Sequence, residues 1–206
     1  MNLDLAQFTM KPILSILTPA IPSRTDKLSK IVASIEEQRL ALFCAFDVEH
    51  LVFLDTQCAR TVGQKRDNLV QLANGQYVAF LDDDDLPSPD YLSKLLSAIK
   101  SATALPDVIT FRQSVIYCGQ EGEVSFGLGN PNESFAPGKL TRRAPWHVCA
   151  FRSELAKAHH FPHVNYGEDW AWARHVGADC KTSVHIDAIL HTYIHNPATT
   201  AAPQPT

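Results

Sequence analysis

Tyr77-Val78-Ala79-Phe80-Leu81-Asp82-Asp83-Asp84-Asp85 is a continuous apolar run that ends abruptly in four carboxylates. Five apolar residues without alternation predict a strand buried on both faces, the habit of parallel sheets rather than of half-exposed ones. The elements on either side are helical. Upstream, Val62, Arg66, Leu69, Val70 and Ala73 form a stripe closed by Asn74-Gly75, a good C-cap pair. Downstream, Ser88-Pro89 predicts an N-cap with proline at the first helical position, ahead of Leu92, Leu95, Leu96 and Ile99.

Further out the same alternation continues. Ile13 to Leu17 is an apolar run ended by Thr18-Pro19, Leu28, Ile31, Val32 and Ile35 trace a helical face, and His50 to Leu54 reads as a second strand ending at Asp55. The order βαβαβα with short connections predicts an α/β domain, Rossmann-like, with a mostly parallel central sheet flanked by helices. Val108 to Tyr117 is rich in strand formers. Gly119 to Gly138 reads as a long loop or hairpin, Trp146 to Phe151 as a strand, Ser153 to His159 and Glu168 to His175 as short helices, and Ser183 to His195 as one or two strands. A single domain over residues 1–197 is expected, with a first half to 117, a second half over 118–197, and a disordered Ala-, Thr- and Pro-rich tail over 198–206.

Composition narrows the functional classes. The chain has 206 residues, 45% apolar and 19% charged, enough for one well-filled core. Lys and Arg number 18 against 22 Asp and Glu, a formal charge of −4, which argues against gripping a polyanion by bulk charge. No apolar run approaches the ~20 residues that span a bilayer. Met1 to Met10 carries Asp4 and no basic region, unlike a secretory signal, so a cytoplasmic protein is expected. Cys44, Cys58, Cys118, Cys149 and Cys180 are odd in number and scattered, which predicts buried, reduced thiols rather than disulfides or a zinc site.

In an open parallel sheet, ligands bind at the carboxyl ends of the strands. Thr18-Pro19, Asp55 and Asp82 to Asp85 all fall there and should converge on one rim. Adjacent carboxylates repel unless protonated or neutralised by a cation. Hard divalent ions such as Mn²⁺ or Mg²⁺ take one or two carboxylates plus substrate phosphates, so the acidic run points to a metal-bound nucleotide. No second acidic strand-end cluster of nuclease type accompanies it, which weakens a two-metal nuclease.

The stretch from Gly63-Gln64-Lys65-Arg66-Asp67-Asn68 through Asn74-Gly75-Gln76-Tyr77 to Asp82-Asp83-Asp84-Asp85, with Thr18-Pro19 before it and Gly167-Glu168-Asp169 after it, resembles glycosyltransferase family 2 over roughly residues 12 to 197. The resemblance implies a GT-A type fold and metal-dependent, inverting transfer of a sugar from a nucleotide-diphosphate donor, UDP-linked for choice, to a hydroxyl. It assigns Thr18, Pro19 and Asp55 to the nucleobase pocket, Arg66 to the nucleotide, and Asp82 with Asp83 to the donor. Asp84, in the D-x-D motif, becomes the main metal ligand, Asp169 the general base, and Glu168 its support. Asp67 departs from the family, which usually has Asn there. Where the family often places Tyr-Arg-x-His, this chain reads His191-Thr192-Tyr193-Ile194-His195-Asn196; His195 is the first choice as a metal or phosphate contact and His191 the second. Trp146, His147 and Trp170 are candidates for acceptor binding.

Two other readings compete: a catalytically silent nucleotide- or carbohydrate-binding module, and a sugar-nucleotide nucleotidyltransferase, which would need a glycine-rich loop where Thr18-Pro19-Ala20-Ile21-Pro22 stands. The default acceptor is a surface polysaccharide precursor. Lys139, Arg142 and Arg143 raise a minority option, a hydroxylated base in DNA, against the acidic overall balance.

Overall fold

The computed structural model describes residues 11–195. The tail expected over 198–206 lies outside the described residues. In chain order the elements are β1 (Leu14–Ala20), a 3-10 turn (Pro22–Arg24), α1 (Thr25–Ala41), β2 (Val48–Leu54), α2 (Val62–Leu72), β3 (Tyr77–Phe80), β4 (Leu86–Pro87) and α3 (Tyr91–Ser101). The second half adds β5 (Val108–Tyr117), β6 (Gln120–Phe126), β7 (Leu140–Arg143), β8 (Ala150–Arg152), α4 (Ser153–Lys157), α5 (Glu168–Asp179) and β9 (Ser183–His195). All nine strands join one sheet, in the order β2-β1-β3-β8-β5-β6-β7, with β9 on β5 and β4 on β9.

The parallel core is β2-β1-β3, as the unbroken apolar runs predict; every residue of β1 and β3 is buried. Helix α2 packs on β1 and β2 and against α4 and α5, while α1 and α3 pack together and α3 lies on β5 and β9. The turn into β3 depends on Gly75. A Cβ there would sit 2.5 Å from Ser15 Oγ, whose hydroxyl accepts the Gly75 N–H at 2.8 Å, so no larger residue fits.

The structure departs from expectation in three places. Helix α3 begins at Tyr91 with Asp90 as its N-cap residue, because Ser88 Oγ donates to Asp90 Oδ1 instead of capping the helix. Of the strand expected over Trp146 to Phe151, only its end is extended. Residues 146–149 form a turn closed by Cys149 N–H on Trp146 O, and β8 then runs antiparallel between β3 and β5. The Gly119–Gly138 stretch, expected as a long loop or hairpin, takes the hairpin form at its start, where β6 pairs antiparallel with β5. All five cysteines are free, and Cys44, Cys149 and Cys180 are buried, but Cys58 and Cys118 are exposed at turns with φ of 50°. Strand β9 is one 13-residue element, its register with β5 shifting around Arg112. Among the described residues no helix is long and apolar enough to cross a membrane.

Candidate active site

The four aspartates after β3 divide into two pairs. Asp83 and Asp85 are buried and serve the loop itself. Asp83 accepts the Ile21 N–H at 3.2 Å and Arg24 Nη1 at 2.9 Å. Asp85 accepts the Asp82 N–H at 3.0 Å and lies 2.8 Å from His191 Nε2. Asp82 and Asp84 keep side chains partly open, 27% and 21% exposed, and these are the two available to a ligand. Their charge states differ. Burial pushes Asp82 upward, but Arg66 and His147 outweigh it and hold the carboxyl well below the usual range. Asp84 is pushed up to about 6, chiefly by burial; Arg24 opposes the shift and Asp85, Asp82 and Asp83 add to it.

Arg66 ties this loop to the Gly167-Glu168-Asp169 stretch of the second half. Its Nη2 donates to Asp82 Oδ2 at 2.7 Å and its Nε to Glu168 Oε1 at 3.2 Å, with the guanidinium 4.9 Å over the Phe80 ring. Phe80 in turn meets Phe161 and Trp172 edge-on, and those two rings stack at 4.6 Å, so the arginine rests on a rigid aromatic floor. Burial pushes Glu168 upward despite Arg66. The alignment of α2 with the segment before α5 rests on Gly63. A Cβ at Gly63 would lie 1.8 Å from Pro162 O, and its N–H donates to Val164 O at 3.0 Å. Asp67 belongs to this joint rather than to the acidic run: it accepts the Phe161 N–H and contacts His160 Nδ1. That accounts for an acidic residue at this position.

Gly167, at φ 79°, turns the chain into α5 and sets Glu168 and Asp169 in its first turn. Asp169 is held from two sides, by Trp146 Nε1 at 3.3 Å and the Trp170 N–H at 2.7 Å. Buried His147 stands between the two acidic groups, Nδ1 3.5 Å from Asp169 Oδ2 and Nε2 3.8 Å from Asp82 Oδ2. One imidazole therefore separates the strand-end carboxylates from the lone carboxylate of α5.

A divalent cation finds a partial match. Asp82 Oδ1 is buried with no hydrogen-bond partner among the described residues, and Asp84 is a carboxyl that its surroundings make reluctant to ionise. No group of three or more His, Cys, Asp or Glu side chains among the described residues is arranged to hold a metal. Two carboxylates fit an ion whose remaining ligands come from substrate oxygens, the usual manner of Mg²⁺ and Mn²⁺.

The other expected residues fall as follows. Thr18 is fully buried; its hydroxyl donates to Leu81 O at 2.8 Å and contacts His50 Nε2 at 2.9 Å, joining β1 to its neighbours. Pro19 is buried beside it in β1. Asp55 accepts the Ala59 and Arg60 N–H groups, closing the turn after β2, and the Arg60 N–H leads in holding its pKa below the usual range. Of the C-terminal histidines, His191 reaches the acidic run, its Nδ1 2.6 Å from Gln113 Nε2; His195 stacks on Tyr117 at 4.5 Å. Trp170 is 45% exposed.

Three residues escaped the sequence reading. Arg24 and Lys27 reach Asp84 at 3.1 and 4.0 Å from the start of α1. The Tyr193 phenol is pushed up to about 12 by burial and then by Asp85, Asp84, Asp82 and Asp169, which places it within the field of both acidic groups. A period of two from His191 to His195 points to Tyr193; nothing local marks Arg24.

The glycosyl transferase family 2 model matches residues 23–157. The chain belongs to this family. The matched span contains Arg66, the acidic run and His147, and ends before Glu168 and Asp169. Comparison with curated protein sequences gives no match. Among solved structures, the chain is similar to S. aureus TarS 1-349 in complex with UDP-GlcNAc, with 12% identity, a TM-score of 0.60, and coverage of 92% of this chain and 61% of that one. TarS 1-349 in complex with UDP gives 14%, 0.61, 89% and 61%, and S. aureus TarS gives 13%, 0.62, 89% and 37%. The family's GT-A fold is thereby shared, and the chain spans less than two thirds of the length of these structures.

Proposed function

We propose that the chain transfers a sugar from a nucleotide-diphosphate donor, UDP-linked for choice, to an acceptor hydroxyl with inversion at the anomeric carbon. The observation that carries this reading is the position of His147, 3.5 Å from Asp169 and 3.8 Å from Asp82. The acidic run and a single carboxylate held by two tryptophans thus meet on one imidazole. Support for the donor class comes from family membership and from the similar TarS structures, whose complexes contain UDP and UDP-GlcNAc.

Asp169 takes the proton from the acceptor hydroxyl as its oxygen bonds to the anomeric carbon and the bond to the diphosphate breaks. One base on the attacking side suits a single in-line displacement, whereas a double displacement would need a second carboxylate as nucleophile. Asp82 and Asp84 would hold Mn²⁺ or Mg²⁺, which when bound neutralises charge on the departing diphosphate. Glu168 and Arg66 keep Asp82 and the start of α5 in register.

The test is incubation with UDP-sugars and Mn²⁺ while free UDP is followed. Slow release of UDP that requires the metal and disappears in Asp169→Asn is expected. Tight UDP binding with no release, with or without candidate acceptors, would instead mark a binding module.

A further inference from the structure

A cleft of about 240 Å³ is lined by Trp146 and Trp170, the two residues that hydrogen-bond Asp169. One wall is a face of α5, where Trp170, Ala173, Arg174, Gly177 and Ala178 follow i, i+3, i+4, i+7, i+8 spacing. The small residues keep this wall low; a Cβ at Gly177 would meet nothing within 4 Å. The opposite wall is the 128–132 segment with Ala144, Pro145 and Trp146. Asn130 Nδ2 is spent on Ser125 O and Asn132 Oδ1 on the Ala144 N–H, which turns the remaining amide atoms, Oδ1 and Nδ2, over to a ligand. The volume lies below the ~300–1,000 Å³ of drug-sized sites and suits one sugar or polyol unit.

Two features define the ligand. Trp146 and Trp170 line the cleft and are also the residues that hold Asp169, so a unit resting there is continuous with the base. The only charged side chain in the lining is Arg174, exposed and lying 5.4 Å over the Trp170 ring, and no Asp or Glu lines the cleft. Among the described residues no carboxylate pairs with it. A guanidinium laid against an indole is a platform for a sugar-like unit bearing an anion.

We propose that this cleft binds the acceptor unit next to the one being glycosylated, and that this unit carries a carboxylate or phosphate read by Arg174. The inference rests on the transferase reading for its role and on the cleft's own chemistry for its ligand. Arg174 is thus a specificity-determining residue for the acceptor.

The test is a tryptophan-fluorescence titration of the full chain with three oligomers of matched length. They are an oligogalacturonate, a phosphodiester-linked glycerol oligomer and a neutral maltooligosaccharide. At least one anionic oligomer is expected to bind tenfold or more tightly than the neutral one, and the better of the two identifies the anion. Arg174→Gln should erase that preference, Arg174→Lys should restore part of it, and Gly177→Leu should block all three. Equal binding of neutral and anionic oligomers, no binding of any, or a preference that survives Arg174→Gln in a folded protein overturns the proposal. A parallel titration with UDP and Mn²⁺ reports the donor half separately. Loss there with the anionic preference intact would overturn the transferase reading and leave the cleft's ligand class standing.

Discussion

Arg66 Nε donates to Glu168 Oε1 at 3.2 Å across 102 residues of chain, both side chains being buried. The same guanidinium holds Asp82 at 2.7 Å. Among the described residues the arginine is therefore the guanidinium shared by the strand-end carboxylates and the first turn of α5. Arg66→Met should leave Glu168 and Asp82 facing each other without a counter-ion. A loss of about 3–5 kcal/mol of stability is expected, by the measure of broken buried pairs, and urea denaturation checks it. Glu168→Gln keeps an acceptor for Nε and should cost much less.

Gly63→Ala tests the joint between α2 and the segment that leads into α5. The added methyl would have to displace Pro162 O from 1.8 Å, and both partners are backbone-defined. A destabilisation of about 1–3 kcal/mol is expected from overpacking, read as a lower Tm. Activity should fall further than stability explains, because the shift moves Asp169 relative to Asp82.

Asp169→Asn preserves the shape of the carboxyl while removing the base, and keeps an acceptor for one of its two donors, Trp146 Nε1 or the Trp170 N–H. Transfer should drop by roughly 10²–10⁴-fold, the usual share of general-base catalysis. UDP affinity in the presence of Mn²⁺ should stay within about twofold, the scale of a few tenths of a kcal/mol. Calorimetric titration with UDP beside a turnover assay separates the two effects.

Asp84→Ala should abolish the difference between UDP affinities measured with and without Mn²⁺. In the wild-type chain that metal-dependent gain should grow as pH rises through about 6, because the Asp84 carboxyl must lose its proton to ligate. A gain that changes by less than about twofold between pH 5 and pH 8, where ionisation near 6 calls for roughly tenfold, would remove Asp84 from the metal.

His50 gives a pH signature independent of any ligand. Burial pushes its imidazole down to about 4, so the unfolded chain, with an ordinary value of 6.5, takes up the proton first. Its contribution is complete above about pH 6.5 and is lost as pH falls toward 4, on the order of 2–3 kcal/mol at most. His50→Gln should flatten stability across that window in equilibrium unfolding. Contact with Thr18 Oγ1, which already donates to Leu81 O, requires the proton on Nε2 of the neutral ring.

Much of the site was legible before any coordinates. The apolar run into Asp82 to Asp85, the helical stripe bearing Arg66 and the Gly167-Glu168-Asp169 turn were each readable in place, because each is a local pattern. The division of the aspartates was not. Alternate residues of a tight loop face opposite ways, and only the packing of Ile21, Arg24 and His191 shows that Asp83 and Asp85 are the inward pair. Even spacing put His191 and His195 on one face and the first choice fell on His195, whereas His191 is the one that reaches the acidic loop. Pairing of β9 with β4, which sets His191 opposite Pro87, decides that. The cap of α3 was misplaced by two residues, since Ser88 has a competing partner in Asp90.

Apolar periodicity and turn chemistry, properties of neighbours along the chain, were enough to specify a parallel α/β core with polar residues at its strand ends. Which carboxylate meets which cation was left to the packed molecule. Arg66 and Glu168 touch only because rigid elements close on one another at Gly63, and burial together with the shared guanidinium then moves Asp82 down and Glu168 up.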